Sequence, residues 1–100
     1  MTLPNGYEMT TTFWDDFTIA DIFGVDAIKD TARRAFNEWK SNYIYLTEFV
    51  IVLNHKIWQH YQLGNTKYAE LYNDLWEEAD AYACNTLKGE ELSFFYRVTD

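Results

Sequence analysis

The stretch YIYLTEFVIVLNHKIWQHYQL, residues 43 to 63, decides the predicted fold because its apolar residues follow the period of an α-helix. The residues that share one face at this period are Leu46, Phe49, Val50, Leu53, Ile57 and Tyr61. Ile51 and Val52 widen the apolar surface, so this helix should pack against more than one neighbour. With about 20 residues at about 1.5 Å each, it would span roughly 30 Å, the diameter of a small domain. We therefore expect a central core helix.

Helical periodicity and helix-boundary residues in other segments complete the predicted fold. The predicted helices run from about Thr12 to Gly24, Asp26 to Lys40, Tyr43 to Leu63 and Thr66 to Leu87, and the last adds Leu71, Leu75 and Ala79 to the core. Ser41 or Asn42 can cap the central helix, and Gly64 tolerates the positive φ that commonly ends a helix. Residues 90–98 are predicted as a short helix, with an extended conformation as the alternative. The sequence thus predicts an all-α bundle of four main helices with a short C-terminal helix.

The predicted domain organisation is a flexible N-terminal tail, residues 1–11, followed by a single helical domain, residues 12–100. A Pro-Asn-Gly run at residues 4–6 is typical of a turn or loop, and no apolar period surrounds it. The tail is therefore expected to form few buried contacts. Removal of the residues before Met9, a second candidate start, should leave the stability nearly unchanged.

Composition and charge limit the classes of function that this chain can have. Its 100 residues carry 16 acidic and 8 basic side chains, a net charge of -8, which does not attract nucleic acid or anionic lipid. The single cysteine excludes an internal disulfide and a multi-cysteine zinc site, and it fits a reducing cytosol. Neither a signal peptide nor an apolar run long enough to span a bilayer is visible. We expect a cytoplasmic protein that binds neither nucleic acid nor membranes directly.

Residues that commonly carry chemistry do not form a recognisable catalytic or metal-binding pattern. Cys84 lacks a basic residue in the preceding turn that would stabilise a thiolate. His55 and His60 are five residues apart on one helix and project about 140° from each other, which is unsuitable for a shared metal. His55 is expected to be exposed and His60 to lie in the core, while Glu48 is expected on the solvent side. The sequence predicts a non-enzymatic protein with no catalytic, metal or cofactor site.

Acidic residues on the outer face of the fourth helix, with two more on the first helix, form the predicted interaction surface. They are Glu70, Asp74, Glu77, Glu78, Asp80, Asp15 and Asp16. Because carboxylates attract a basic surface, the first functional hypothesis is an acidic protein-interaction module with a basic protein partner. The alternative is a structural protein that self-associates, for example as a homodimer, through exposed aromatic residues such as Trp14, Tyr45, Trp58 and Phe95. A face kept acidic only for solubility is the interpretation that requires no partner.

Four runs of the sequence resemble small uncharacterised proteins of phages and conjugative elements of Gram-positive bacteria. The runs are FWDDFTIADIFG (residues 13–24), LTEFVIVLNHKIWQHY (46–61), LYNDLWEEADAYA (71–83) and LKGEELSFFYRVTD (87–100). The resemblance extends over nearly the whole chain after Met9 and implies a cytoplasmic accessory protein of a mobile element. Mobile elements of this kind also carry inhibitors of host defence. The resemblance assigns no site residue.

Overall fold

The computed structural model describes residues 2–99, and the regular structure among them is helical apart from one isolated β-bridge between Thr2 and Glu8. The helices are α1 (Phe13–Phe23), α2 (Val25–Trp39), α3 (Tyr43–Gln62), α4 (Thr66–Thr86) and α5 (Glu90–Thr99). The predicted all-α bundle of four main helices and a short C-terminal helix is confirmed, and the segment after Gly89 is helical rather than extended. Met1 and Asp100, at the ends of the predicted tail and domain, lie outside the described residues.

The helix boundaries follow from local chemistry. The Asn42 side chain accepts hydrogen bonds from the backbone N–H groups of Ile44 and Tyr45, at 3.1 and 3.3 Å, so it caps α3 as predicted. Gly64 ends α3 with a φ of +73°. Gly24, with a φ of +113°, forms the one-residue connection between α1 and α2, a conformation that an L side chain rarely adopts.

Helix α3 lies at the centre of the molecule and contacts α1, α2, α4 and α5. Six of the predicted core residues are buried, namely Leu46, Phe49, Val50, Leu53, Ile57 and Ala79. Leu71 and Leu75 are half-buried against the same core. Tyr61 was predicted on the inner face but is 50% exposed, because it stands in the last turn of α3 with its ring beside the exposed Trp58. Within residues 2–99, no helix is long and apolar enough to cross a membrane.

The N-terminal segment, residues 2–11, packs against α3 and α5 instead of forming a tail with few buried contacts. Leu3 is only 5% exposed and joins Ile51 and Val98 in a small apolar cluster. The segment turns back on itself, since the Leu3 N–H donates to the Tyr7 carbonyl at 2.8 Å. The prediction of few buried contacts is therefore wrong for residues 2–11. The segment has no apolar period of its own, so the burial of Leu3 depends on surfaces that distant helices provide.

Candidate functional site

The α1–α2 groove is a depression of about 460 Å³ between the first two helices. Its walls carry Asp16, Ile19 and Phe23 from α1 and Asp30, Arg34, Glu38 and Trp39 from α2. Between the walls, α2 presents Ala27, Thr31 and Ala35, which are four residues apart and therefore share one helix face. Because these three side chains are small, they leave the space between α1 and α2 unfilled.

The groove walls expose apolar side chains because α1 is apolar on two faces. Phe17 and Ala20 point into the core, whereas Ile19 and Phe23 lie on the outer side and are 56% and 77% exposed. On the opposite wall, Trp39 is 37% exposed, and its ring makes a T-shaped contact with Tyr45 at 4.9 Å between ring centroids. Apolar side chains in this arrangement could serve as anchor sites for a partner.

The electrostatics of the α1–α2 groove favour a cation. Asp30 pairs with Arg34 at 3.0 Å and also with Arg33, so two guanidinium groups share one carboxylate. Asp16 accepts a hydrogen bond from the Thr12 hydroxyl at 3.1 Å, which leaves its charge uncompensated. Glu38 has no ion-pair partner among the described residues. Asp16, Asp30 and Glu38 thus face two bases, Arg33 and Arg34, so the groove and its rim keep one net negative charge.

The seven predicted interaction residues do not share one surface. Glu70, Asp74 and Glu77 are exposed on the outer side of α4, as expected, and we refer to them as the α4 ridge. Glu78 lines a different depression together with Lys29 of α2. The remaining three are Asp80, which lines a cavity on the other side of α4, Asp16, which lines the α1–α2 groove, and Asp15, which is exposed on α1.

Glu48 is fully buried, which corrects the prediction that it faces solvent. Its carboxylate accepts hydrogen bonds from the backbone N–H groups of Thr10 and Thr11, both at 2.9 Å. It also accepts from the hydroxyls of Thr10, Tyr7 and Thr11 at 2.7, 2.8 and 2.9 Å. Burial raises the pKa of Glu48, but the bonds from Thr10, Thr11 and Tyr7 outweigh that effect, and the pKa is lowered overall. The N-terminal segment is thus bound to α3 by an ionised carboxylate.

A second buried polar cluster joins α1, α3 and α4 around Asp21. The Lys56 ammonium and the His60 ring nitrogen Nε2 each lie 3.0 Å from the Asp21 carboxylate. The Tyr72 hydroxyl donates a hydrogen bond to Asp21, and burial, together with this bond, raises the pKa of Tyr72 far above its ordinary value. Lys56 is fully buried, donates to Thr18 and to other side chains, and lies over the ring of Trp14 at 4.3 Å from its centroid.

The Asp21 cluster is satisfied by its own members. Among the described residues, no buried side-chain nitrogen or oxygen lacks a hydrogen-bond partner. None of the three cavities named in this section is lined by Asp21, Lys56 or His60. A reactant would have to displace existing bonds to reach these groups. We therefore assign the cluster a structural role.

Sequence reasoning placed His60 in the core, which is confirmed, but it missed Lys56 and Asp21 as its neighbours. The helical periodicity of the sequence did indicate that both residues face the core. At 100° per residue, Lys56 falls about 20° from Phe49 on the α3 projection, and Asp21 is one turn beyond the buried Phe17. His55 was predicted to be exposed but is half-buried at the wall of the cavity that Asp80 also lines.

Residues 2–99 contain no group of three or more His, Cys, Asp or Glu side chains that could hold a metal ion. Comparison with protein-family models, with curated proteins and with solved structures finds no match to this chain.

Proposed function

We propose that this protein is an interaction module that holds a basic amphipathic helix of a partner protein in the α1–α2 groove. The observation that carries the proposal is the combination of exposed Ile19 and Phe23 with the net negative charge of the same groove. Apolar anchors supply affinity, and complementary charge supplies orientation and a faster association.

The dimensions of the groove suit a helical segment. Residues 27–39 of α2 line it from one end to the other, which corresponds to about 18 Å at about 1.5 Å per residue. A bound helix of about three turns would cover this length and would place anchors at spacings of three, four and seven residues. Such a segment meets Ile19 and Phe23 on one wall and Trp39 on the other.

Charge complementarity selects a basic segment over an acidic one. Lys or Arg side chains flanking the anchors would reach Asp16 on one wall and Glu38 on the other. The net charge of -8, to which the α4 ridge contributes, would accelerate the approach of such a partner at low salt. Under the resemblance to phage and conjugative-element proteins, the bound segment would belong to a host protein that the element inhibits.

A second candidate function is self-association. Of the aromatic residues expected to be exposed, Trp58 is, whereas Trp14 and Tyr45 are half-buried and Phe95 is buried, so that expectation is wrong for Phe95. Other large apolar side chains outside the α1–α2 groove are exposed, among them Ile22, Tyr61 and Leu63. The two functions respond to salt in opposite directions. Salt screens repulsion between two copies that each carry a charge of -8, so self-association should strengthen, whereas binding of a basic segment should weaken. Light scattering on the purified protein at low and high salt measures how self-association responds to salt.

The groove proposal is tested with a displayed library of helical peptides. Their apolar anchors are fixed at helical spacing, and their polar positions vary among Lys, Glu and Gln. Lysine should be enriched, and binding of the selected peptide should weaken from low to physiological salt. Phe23→Ser should weaken it by about tenfold or more, the scale of an interface anchor.

A matched pair of charge reversals locates the binding surface. Asp16→Lys with Glu38→Lys should abolish binding, while Glu70→Lys with Asp74→Lys on the α4 ridge should weaken it only slightly. All four side chains are exposed, so neither pair should unfold the protein. The opposite ranking would assign binding to the α4 ridge, and a library without lysine enrichment would refute a basic partner.

A further inference from the structure

A cavity on the other side of the molecule has a chemistry distinct from that of the α1–α2 groove. It has a volume of about 440 Å³, which is within the usual range for small-molecule sites. Its walls come from residues 3–5 of the N-terminal segment and from α3, α4 and α5. We propose that this α3–α5 cavity binds a small organic monocation, namely a protonated primary amine on an apolar body.

The charge of the α3–α5 cavity comes from Asp80. It is the one Asp, Glu, Lys or Arg side chain among the described residues that line the cavity. Asp80 makes no hydrogen bond or ion pair with any residue in the range 2–99. Burial raises the pKa of Asp80, which means that the protein around it does not compensate its negative charge. A ligand with one positive charge would supply the missing counter-ion.

His55 cannot be that counter-ion at neutral pH. It lines the cavity from α3, and burial lowers its pKa, so the neutral imidazole predominates. A neutral imidazole keeps one nitrogen that accepts a hydrogen bond, and the neighbouring Asn54 adds an amide oxygen. A primary ammonium group has three N–H donors, which matches these two acceptors and the Asp80 carboxylate. A quaternary ammonium group has none, so it fits this cavity less well.

The remaining walls suit an apolar body. Trp76 lies four residues before Asp80 on α4, so both side chains project from the same helix face into the cavity. Val50 and Ile51 of α3 and Phe95 of α5 also line the cavity and are themselves almost fully buried, so they form its apolar floor. An aromatic ring attracts a cation to its face, and the aliphatic surface favours a hydrocarbon substituent.

The probe for this site is phenethylamine, compared with phenethyl alcohol as the neutral analogue and hydrocinnamate as the anion. NMR titration of the labelled protein should shift the indole N–H signal of Trp76 and the ring signals of His55. The amine should bind about tenfold or more tightly than the alcohol, and the anion should not bind. Equal binding of the amine and the alcohol, or no shift at millimolar amine, would overturn the proposal.

Two isosteric variants on α4 locate the charge that is responsible. Asp80→Asn keeps the shape of the side chain and should weaken phenethylamine binding by about tenfold or more. Asp74→Asn removes an equal charge from the exposed α4 ridge and should change binding by less than about twofold, because a distant surface charge is screened. Unchanged amine binding by Asp80→Asn, or an equal loss in both variants, would contradict the assignment. Backbone amide spectra of both variants verify that the fold is retained.

Discussion

The substitution Glu48→Gln separates the charge of the buried carboxylate from its shape. A glutamine fits the same space, and its remaining carbonyl oxygen can still accept from the backbone N–H groups of Thr10 and Thr11. Its amide group can donate to the hydroxyl of Tyr7, which would reverse its role from donor to acceptor. The number of hydrogen bonds is therefore nearly conserved, while their charge is lost.

The expected loss of stability is about 1 to 2 kcal/mol. Hydrogen bonds to a charged group contribute about 1.5 to 3 kcal/mol each, against about 0.5 to 1.5 kcal/mol for neutral pairs. The glutamine also avoids the cost of burying a carboxylate, which is several kcal/mol and offsets most of the difference. The lowered pKa of Glu48 fixes the sign, because it means that the fold favours the ionised form. Glu48→Ala should cost more, about 2 to 4 kcal/mol, since all the bonds are lost and a cavity remains.

The effect of Glu48→Gln on the free energy of unfolding should also depend on pH. The folded pKa of Glu48 is below its ordinary value of 4.5, so its contribution is fully present above that value. The contribution disappears as the pH falls through the folded pKa, because a protonated Glu48 resembles glutamine. The difference in unfolding free energy between the wild type and Glu48→Gln should therefore narrow in acid. Other carboxylates titrate equally in both proteins and cancel in this difference.

Urea denaturation at neutral pH and in acid measures the difference, and hydrogen exchange at the Thr10 and Thr11 amides reports the N-terminal segment directly. These amides should be protected in the wild type and should exchange faster in Glu48→Gln. Glu70→Gln, on the exposed α4 ridge, is the control and should change stability by less than about 0.5 kcal/mol. Equal stability of the wild type and Glu48→Gln at neutral pH, or a difference that stays constant in acid, would refute the reasoning.

Three further changes test the packing, each by urea or thermal denaturation. Leu53→Ala should cost about 2 to 5 kcal/mol because Leu53 is fully buried, and a loss below about 0.5 kcal/mol would contradict its position. Lys56→Met should cost about 3 kcal/mol by leaving Asp21 without its ammonium partner. Asp21→Asn should reduce stability less in the Lys56→Met variant than in the wild type, because its ammonium partner is already absent. Equal losses in the two backgrounds would show that Lys56 and Asp21 are not coupled. Deletion of residues 1–8 should lower the melting temperature by several degrees, contrary to the expectation from sequence, because Leu3 is buried; an unchanged melting temperature would restore that expectation.

The candidate sites were predictable only in part. Acidic character and a basic partner follow from composition, and Asp16 was among the residues selected from the sequence. The α1–α2 groove itself was not predicted, because it exists only where the small side chains of Ala27 and Ala35 lie opposite Ile19 and Phe23. Ile19 and Phe23 are exposed because the rest of the chain covers only the other face of α1, and the sequence of α1 alone does not show which face is covered.

The sequence by itself determined the helices, their boundaries and most of the core. Helical periodicity is a local property with a repeat of 3.6 residues, and the boundary residues Asn42 and Gly64 act on their immediate neighbours, so both can be read without knowing the tertiary structure. Only the tertiary structure decided that the charged side chains of Glu48 and Lys56 are buried. Glu48 lies opposite the apolar face of α3, yet it is buried by Thr10, which is 38 residues away in the chain. Lys56 is neutralised by Asp21, which is 35 residues away, because the burial of a charge depends on a partner that arrives from another helix.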